Sequence, residues 1–388
     1  MEMKTVHIGD LGEIKTGSTP SKKNPDNYGD YALWIKPTDI NPDEKYTRVV
    51  EEMFSEKAAI DCRSRLIPAK SICVPCIGTV GTKLTMTPCD CFVNQSINAV
   101  IPNEDYDNDY VYYLLLNFLP NLKSINKGTA SGREYIAKSA FENIEIKVHS
   151  DIKVQRTIGK ILSSYDDMID NCKKQIALLE EAAQRLYREW FVDLHFPGHE
   201  TTHIGENGLP EGWKRYNILD IYDIAYGKTL ATKYILPKGK YPVYGSSKCI
   251  GYFDKKTVSD YKVLITSRGN AGKIHRTYHK ESFVTNNSFI ITPKQDYDFI
   301  TFSYIYYSFI TLDLARIVNG SAQQQLTNAM LGNVSIHLPS KELICAFGQI
   351  CENYIDKANK LYSIVEYCNE AKIALLPRLI SGQIEINA

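Results

Sequence analysis

Four cysteines offer the most explicit chemistry in this 388-residue chain. Cys73-Val-Pro-Cys76 followed by Cys89-Asp-Cys91 supplies four thiols, and the spacing of the first pair is one that tetrahedral zinc accepts. Residues three apart on an extended strand point to opposite faces, however, so a zinc site and a set of buried thiols both stay open. Arg268-Gly-Asn-Ala-Gly-Lys-Ile274 brings glycines and a lysine that could cradle phosphate. It lacks the four residues between glycines, and the Ser or Thr after lysine, that a nucleotide loop needs. Its counterpart Gly78-Thr-Val-Gly81 points instead to a structural turn. No dinucleotide fingerprint, nucleophile elbow or His-Glu-x-x-His helix is present. No residue is therefore expected to be catalytic, and no cofactor or metal is expected on this chain.

Charge suggests binding instead. Lys and Arg together number 45 against 45 Asp and Glu, so the total says nothing about an anionic partner. Between Tyr226 and Lys280, twelve Lys or Arg (Lys228, Lys233, Lys238, Lys240, Lys248, Lys255, Lys256, Lys262, Arg268, Lys273, Arg276, Lys280) face two acids, Asp254 and Asp260. Seven tyrosines are interleaved. Cations on loops follow phosphates, and amides and guanidinium groups read base edges. The candidate DNA contacts are Lys15, Ser18, Lys22, Lys23, Lys36, Asn94 and Gln95 in the first half. In the second they are Lys228, Lys248, Arg268, Asn270, Lys273, Asn286, Asn287, Gln323 and Gln324. The bland alternatives are a solvated basic face, and amides that merely form turns.

These residues recur in a pattern, because the chain is written twice. Val6-His-Ile-Gly-Asp-Leu-Gly-Glu-Ile14 returns as Tyr216-Asn-Ile-Leu-Asp-Ile-Tyr-Asp-Ile224. Ile77-Gly-Thr-Val-Gly-Thr-Lys83 returns as Arg268 to Lys273, and Phe92-Val-Asn-Gln-Ser-Ile-Asn98 as Phe283-Val-Thr-Asn-Asn-Ser-Phe289, both 191 residues on. Asn126-Lys-Gly-Thr-Ala130 pairs with Asn319-Gly-Ser-Ala322, and Phe141-Glu-Asn-Ile-Glu-Ile146 with Leu331-Gly-Asn-Val-Ser-Ile336. Within each copy, residues 71–74, 97–101, 263–266 and 288–292 are β-branched or apolar runs bounded by Gly, Pro and Asn, the pattern of strands. Residues 108–119 and 298–315 carry Leu, Tyr and Phe at helical spacing. Each copy reads as a mixed α/β domain with divergent loops.

A long helical pattern closes each copy. Ile158, Leu162, Tyr165, Ile169, Cys172, Ile176, Leu179, Ala183, Leu186 and Trp190 alternate steps of four and three, with no Pro or Gly from Lys160 to His195. The second copy answers with Phe347, Cys351, Tyr354, Ala358, Leu361, Val365, Cys368, Lys372 and Leu375, ending at Pro377, and only Lys372 is out of character. A long helix with one narrow apolar stripe needs a partner, and two of similar length serve each other. The expected architecture is mixed α+β: two globular domains at 1–149 and 197–338, and long helices at 150–196 and 339–388 that pair as a coiled coil, in either direction since a whole domain connects them.

Apolar residues at 44% and charged residues at 23% are globular values, and no apolar run approaches a membrane span. Cys172, Cys345, Cys351 and Cys368 lie in apolar periodic stretches, as free thiols in a reducing compartment do. The N-terminus lacks a secretory layout, so a cytoplasmic location is expected.

Together these features resemble the specificity (S) subunit of type I restriction–modification enzymes. The resemblance is sharpest at Ile176-Ala-Leu-Leu-Glu-Glu-Ala-Ala-Gln-Arg-Leu-Tyr-Arg-Glu-Trp-Phe-Val-Asp-Leu-His-Phe-Pro-Gly-His-Glu200, Leu209-Pro-Glu-Gly-Trp213 and Leu375-Leu-Pro-Arg-Leu-Ile-Ser-Gly-Gln-Ile384, with Thr16-Gly-Ser-Thr-Pro20 similar to a common opening loop. It implies two target recognition domains, each reading half of a bipartite site in double-stranded DNA. It also implies that the long helices pair antiparallel as a coiled coil, with two modification subunits on them and ATP-driven restriction subunits beyond. Those partners would carry S-adenosylmethionine, ATP and Mg, making the assembly an adenine-N6 methyltransferase and endonuclease around a non-catalytic subunit. A coiled-coil adaptor that never touches DNA and a self-sufficient nuclease or methyltransferase are the rival readings.

Overall fold

In the computed structural model, residues 2–125, 134–318 and 325–386 are described. The chain divides into two compact units, Met1–Asn171 with Val365–Ala388, and Cys172–Ile364.

In the first copy, β1 (Met3–His7) leads through a 3₁₀ turn to β2 (Gly12–Thr16), β3 (Tyr28–Gly29), β4 (Ala32–Ile35), β5 (Met53–Phe54) and helix α1 (Glu56–Asp61). There follow β6 (Ile72–Pro75), β7 (Thr85–Met86), β8 (Phe92–Val93), β9 (Ile97–Pro102), α2 (Asn108–Ile125), α3 (Lys138–Glu142), β10 (Glu145–His149) and the long helix α4 (Ile152–Phe191). Strands pair in the orders β2-β9-β6-β7, β3-β5-β4-β8 and β1-β10. Apolar side chains of β6 and β9 fill one core with the buried face of α2.

The second copy repeats the layout with β11 (Lys214–Asn217), α5 (Ile218–Ile221), β12 (Tyr222–Tyr226), β13 (Tyr241–Tyr244), β14 (Cys249–Phe253), β15 (Val258–Ser259), β16 (Val263–Thr266) and β17 (Ile274–Arg276). It continues through β18 (Glu281–Val284), β19 (Ser288–Pro293), α6 (Phe302–Ile310), α7 (Asn328–Leu331), β20 (Ser335–Leu338) and α8 (Lys341–Ile380). The orders are β12-β19-β16-β17, β14-β13-β18-β15 and β11-β20.

Duplication reaches down to register. Ile72 faces Val100, and Val263 faces Ile291, both shifted by 191. The parallel pair Trp34 with Phe92 is matched by Val243 with Phe283. The copies part company outside that parallel pair: β3 and β5 extend the sheet beyond β4 in one, while β14 and β15 flank it in the other.

Both long helices form, and their seams turn inward. Ile158, Leu162, Ile169, Cys172, Ala183, Trp190, Phe347, Cys351, Ala358 and Val365 are buried, while Tyr165, Ile176, Leu179, Leu186, Tyr354, Leu361, Cys368, Lys372 and Leu375 are half-buried. In the first unit Asp166 of α4 meets Lys372 of α8, while Ile158 and Leu162 share a core with Leu379. In the second, the Trp190 ring lies 6.1 Å from that of Phe347, and Glu180 and Asn359 bind the same guanidinium. In each unit one helix ascends as the other descends, which is antiparallel pairing.

Three expected boundaries move. Helix α4 stops at Phe191 rather than running on to His195, because Leu194 takes φ 63° and the His195 amide returns to the Glu189 carbonyl, a left-handed helix closure. Helix α8 passes Pro377 to Ile380, held by the burial of Leu379 and Ile380 and by the His149 imidazole against the Leu379 carbonyl at 3.0 Å. The helix expected at 298–315 shrinks to Phe302–Ile310, capped by the Thr301 hydroxyl, with a separate 3₁₀ turn at Leu314–Ile317.

Candidate nucleic-acid interface

In each copy the loop after the second strand is pressed onto the turn that follows the parallel pair. A Cβ on Gly17 would lie 1.7 Å from the Val93 carbonyl oxygen, so only glycine lets the chain pass. The Ser18 amide then donates to the Val93 carbonyl at 3.0 Å, the Trp34 indole N–H donates to the Ser18 carbonyl at 3.1 Å, and the Arg65 guanidinium donates to the Thr16 and Gly17 carbonyls at 3.2 Å each. The Thr19 hydroxyl donates to Gln95 Oε1. Ser18, Asn94 and Gln95 thus gather at one rim. Asn94 also builds that rim, since its Oδ1 accepts the Ser96 amide at 3.0 Å.

The cations of this copy are partly occupied. Lys36 Nζ lies 2.8 Å from Glu51 and 2.7 Å from Glu52; burial pushes its pKa down, but the two carboxylates outweigh that and raise it. Lys22 lies 3.8 Å from Glu52, and Lys15 3.7 Å from Glu13. Lys23 is exposed and has no acidic partner among the described residues.

The second copy rebuilds the rim with more cations. A Cβ on Gly227 would lie 2.4 Å from the Val284 and Thr285 carbonyls. The Lys228 amide donates to Val284 at 2.9 Å, the Asn286 amide to Lys228 at 3.1 Å, and the Ser267 amide to Asn287 at 2.8 Å. Lys248 closes the turn between β13 and β14, where its carbonyl accepts the Gly245 amide, and the Ser288 hydroxyl donates to the Gly245 carbonyl at 2.9 Å. Lys228, Lys248, Asn286 and Asn287 therefore surround the same strand ends. Arg268, Asn270 and Lys273 are exposed on the adjoining hairpin loop between β16 and β17. Gln323 and Gln324 lie outside the described residues, as do the paired segments at 126–130 and 319–322.

The glycine loop is a turn in both copies. Gly78 and Gly269 have φ 79° and 82°, Gly81 and Gly272 have φ 67° and 87°, and the second glycine of each pair lies against helical backbone further along the chain, at Leu119 and Lys123 of α2 or at Leu314 and Ala315 of the 3₁₀ turn.

One sequence reading changes, and one left open is narrowed. Arg276, counted in the basic surface, is 2% exposed and its charge is taken by Glu180, because β17 is covered by helices and cannot present it to solvent. The cysteines do not assemble: Cys73 and Cys91 lie buried in one apolar cluster, Cys76 is buried elsewhere on the strand end, and Cys89 is exposed. Burial pushes the Cys73 thiol up to about 12 and that of Cys76 to about 11, so both stay protonated, and no group of three metal-ligating side chains occurs among the described residues. Sequence reading missed Thr19 and Arg65, which fasten the first rim; their partners are 76 and 49 residues away, beyond any local signal.

A family model described as the type I restriction modification DNA specificity domain matches residues 1–181 and again 210–360. The chain belongs to this family. Each match takes in one copy and its rim. The chain is similar to the MjaIX specificity subunit of Methanocaldococcus jannaschii, 25% identical across 98% of this chain and 93% of the relative. It is also similar to the HindI specificity subunit of Haemophilus influenzae, 33% identical across 46% of this chain and 38% of the relative. The solved S subunit of a type I restriction–modification system from M. genitalium shares the fold, with TM-score 0.60 at 17% identity over 100% of this chain and 97% of the other. Two specificity domains in one chain match the duplication read from the residues.

Proposed function

We propose that this chain is the DNA-reading subunit of a type I restriction–modification enzyme, each copy recognising one half of a bipartite duplex site. One observation carries the reading: two frameworks with the same strand register present different side chains at the same rim. Ser18, Asn94 and Gln95 stand in one copy, and Lys228, Lys248, Asn286 and Asn287 in the other. A shared scaffold with changed contact residues is what reading two different sequences requires, because phosphate contacts position the protein and base-edge contacts specify.

The recognition domains comprise 1–149 and 197–338, and the paired helices of 150–196 and 339–388 hold them at a set spacing, so that both half-sites engage together. The chain works with modification and restriction subunits. Two modification subunits dock on the helices, supply S-adenosylmethionine chemistry and methylate adenine N6, while ATP and Mg belong to the restriction subunits and this chain is non-catalytic. Its place of work is cytoplasmic DNA; separately, among the described residues no helix is long and apolar enough to cross a membrane.

Mapping methylated adenines in DNA from cells that express this chain with its modification subunits tests the reading. A two-part motif with one fixed gap is expected, and exchanging residues 1–149 for those of a relative should change one half only. A continuous motif, or methylation that does not depend on this chain, overturns it.

A further inference from the structure

The second copy buries a charge at a place where apolar packing would suffice for stability. The side chain of Arg276, on β17, is 1% exposed, and its guanidinium reaches both long helices. Nη2 donates to Glu180 Oε1 of α4 at 3.0 Å and Nη1 to Asn359 Oδ1 of α8 at 2.6 Å, with Nε also facing Glu180 at 3.3 Å. The guanidinium lies 4.1 Å from the Tyr278 ring centroid and 5.7 Å from that of Tyr306 on α6. Tyr278 donates its hydroxyl to Glu180 at 3.3 Å and stacks on Tyr362 of α8, the rings 4.1 Å apart and 10° from parallel. One residue of the sheet is thereby tied to three helices.

Stability does not require this arrangement. A buried ion pair repays its desolvation poorly, and apolar residues of similar volume often do as well or better. Apolar contact is non-directional, however, and lets a sheet slide or tilt over a helix at little cost. A planar guanidinium with fixed N–H directions admits one angle and one register. The fold itself does not demand the pair. At the matching position of the first copy, 191 residues earlier, Thr85 bonds to Thr47 at 3.0 Å. There the helices are reached from a loop, where Lys45, with a side chain 3% exposed, meets Asp109 of α2 at 2.5 Å and Ser163 of α4 at 2.8 Å.

We propose that Arg276, with Glu180 and Asn359, is a positioning set that fixes how the second recognition domain sits on its helices, and thereby which gap between half-sites the chain accepts. Arg276 is buried and touches no DNA; it acts through the rim it orients. The proposal rests on the bipartite reading above.

The test uses Arg276→Lys, which keeps the cation but loses the fork, and the apolar triple variant R276M/E180L/N359L. Each is expressed with the modification subunits, methylated motifs are mapped, and thermal unfolding of the purified complex is followed. Both half-site sequences should stay as in the unsubstituted chain, while methylation at gaps one base pair longer or shorter rises about tenfold, a loss of roughly 1.4 kcal/mol of discrimination. Methylation confined to the original gap in either folded variant, whether at full or uniformly reduced extent, overturns the positioning role. So does general loss of methylation with a lowered melting temperature in Arg276→Lys, which marks a purely structural pair. If the unsubstituted chain itself gives no two-part motif, the bipartite reading fails first and takes this inference with it.

Discussion

Lys372 Nζ lies 2.5 Å from Asp166 Oδ1, joining the one charged position in the seam of α8 to a carboxylate that is 8% exposed on α4. Asp166 also accepts the Tyr113 hydroxyl. The lysine therefore interrupts the apolar stripe without leaving a charge unpaired, and it ties α8 to both α4 and α2.

Removing one partner should cost more than removing both. Lys372→Met leaves Asp166 buried beside a phenol, and about 3 kcal/mol of stability should be lost. The double variant K372M/D166N should recover most of that loss. Denaturant unfolding of the three chains measures it, and equal losses in the single and double variants would refute the pairing.

Arg268 and Lys273 are exposed beside the second rim. Replacing both with Ala should weaken binding to a duplex carrying the mapped site and reduce the slope of log affinity against log salt by roughly 1 to 2. An unchanged slope would move the DNA surface elsewhere.

The helices should act as a ruler. Four residues inserted at mid-helix in both α4 and α8 add about 6 Å at the α-helical rise, close to two base pairs of duplex. The methylated motif should then keep its half-sites and lengthen its gap by about two base pairs; an unchanged gap would remove the ruler role.

His275 makes the second unit sensitive to acid. It is buried, its Nε2 lies 3.1 Å from Ser288 Oγ, and burial, with Lys273 nearby, pushes its pKa down to about 4. An unfolded histidine titrates near 6.5, so below that pH the unfolded chain binds the extra proton. The stabilisation is present above about pH 6.5 and is lost as pH falls towards 4, to a total of about 3 kcal/mol. Urea midpoints at pH 7.5 and pH 5 should converge in His275→Gln relative to the unsubstituted chain.

What the sequence disclosed follows from where physics is local. The glycines at 78, 81, 269 and 272 stand out because their positive φ admits little else, and the repeat is visible through them. The heptad steps from Ile158 to Trp190 stand out because a narrow stripe has one structural use. Arg276 looked like another cation in a basic run, since only the covering of β17 by helices separates it from its neighbours. Lys372 looked like a flaw, since its carboxylate partner is 206 residues away. The lysines of the first rim looked free, because Glu51 and Glu52 approach Lys36 through folding and not through spacing. At the candidate interface, then, loop placement was legible and side-chain occupancy was not.

The end of α8 has a consequence for synthesis. Leu379 and Ile380 complete the core that β6, β9 and α2 begin, and the Leu379 carbonyl meets an imidazole 230 residues earlier in the chain. Contacts so distant along the chain form late. While the polypeptide is being made, the module of β6, β9 and α2 must wait with an unfilled gap until α8 emerges. A premature stop between the two would leave that module exposed to aggregation and proteolysis, rather than releasing a half-protein that grips DNA on its own.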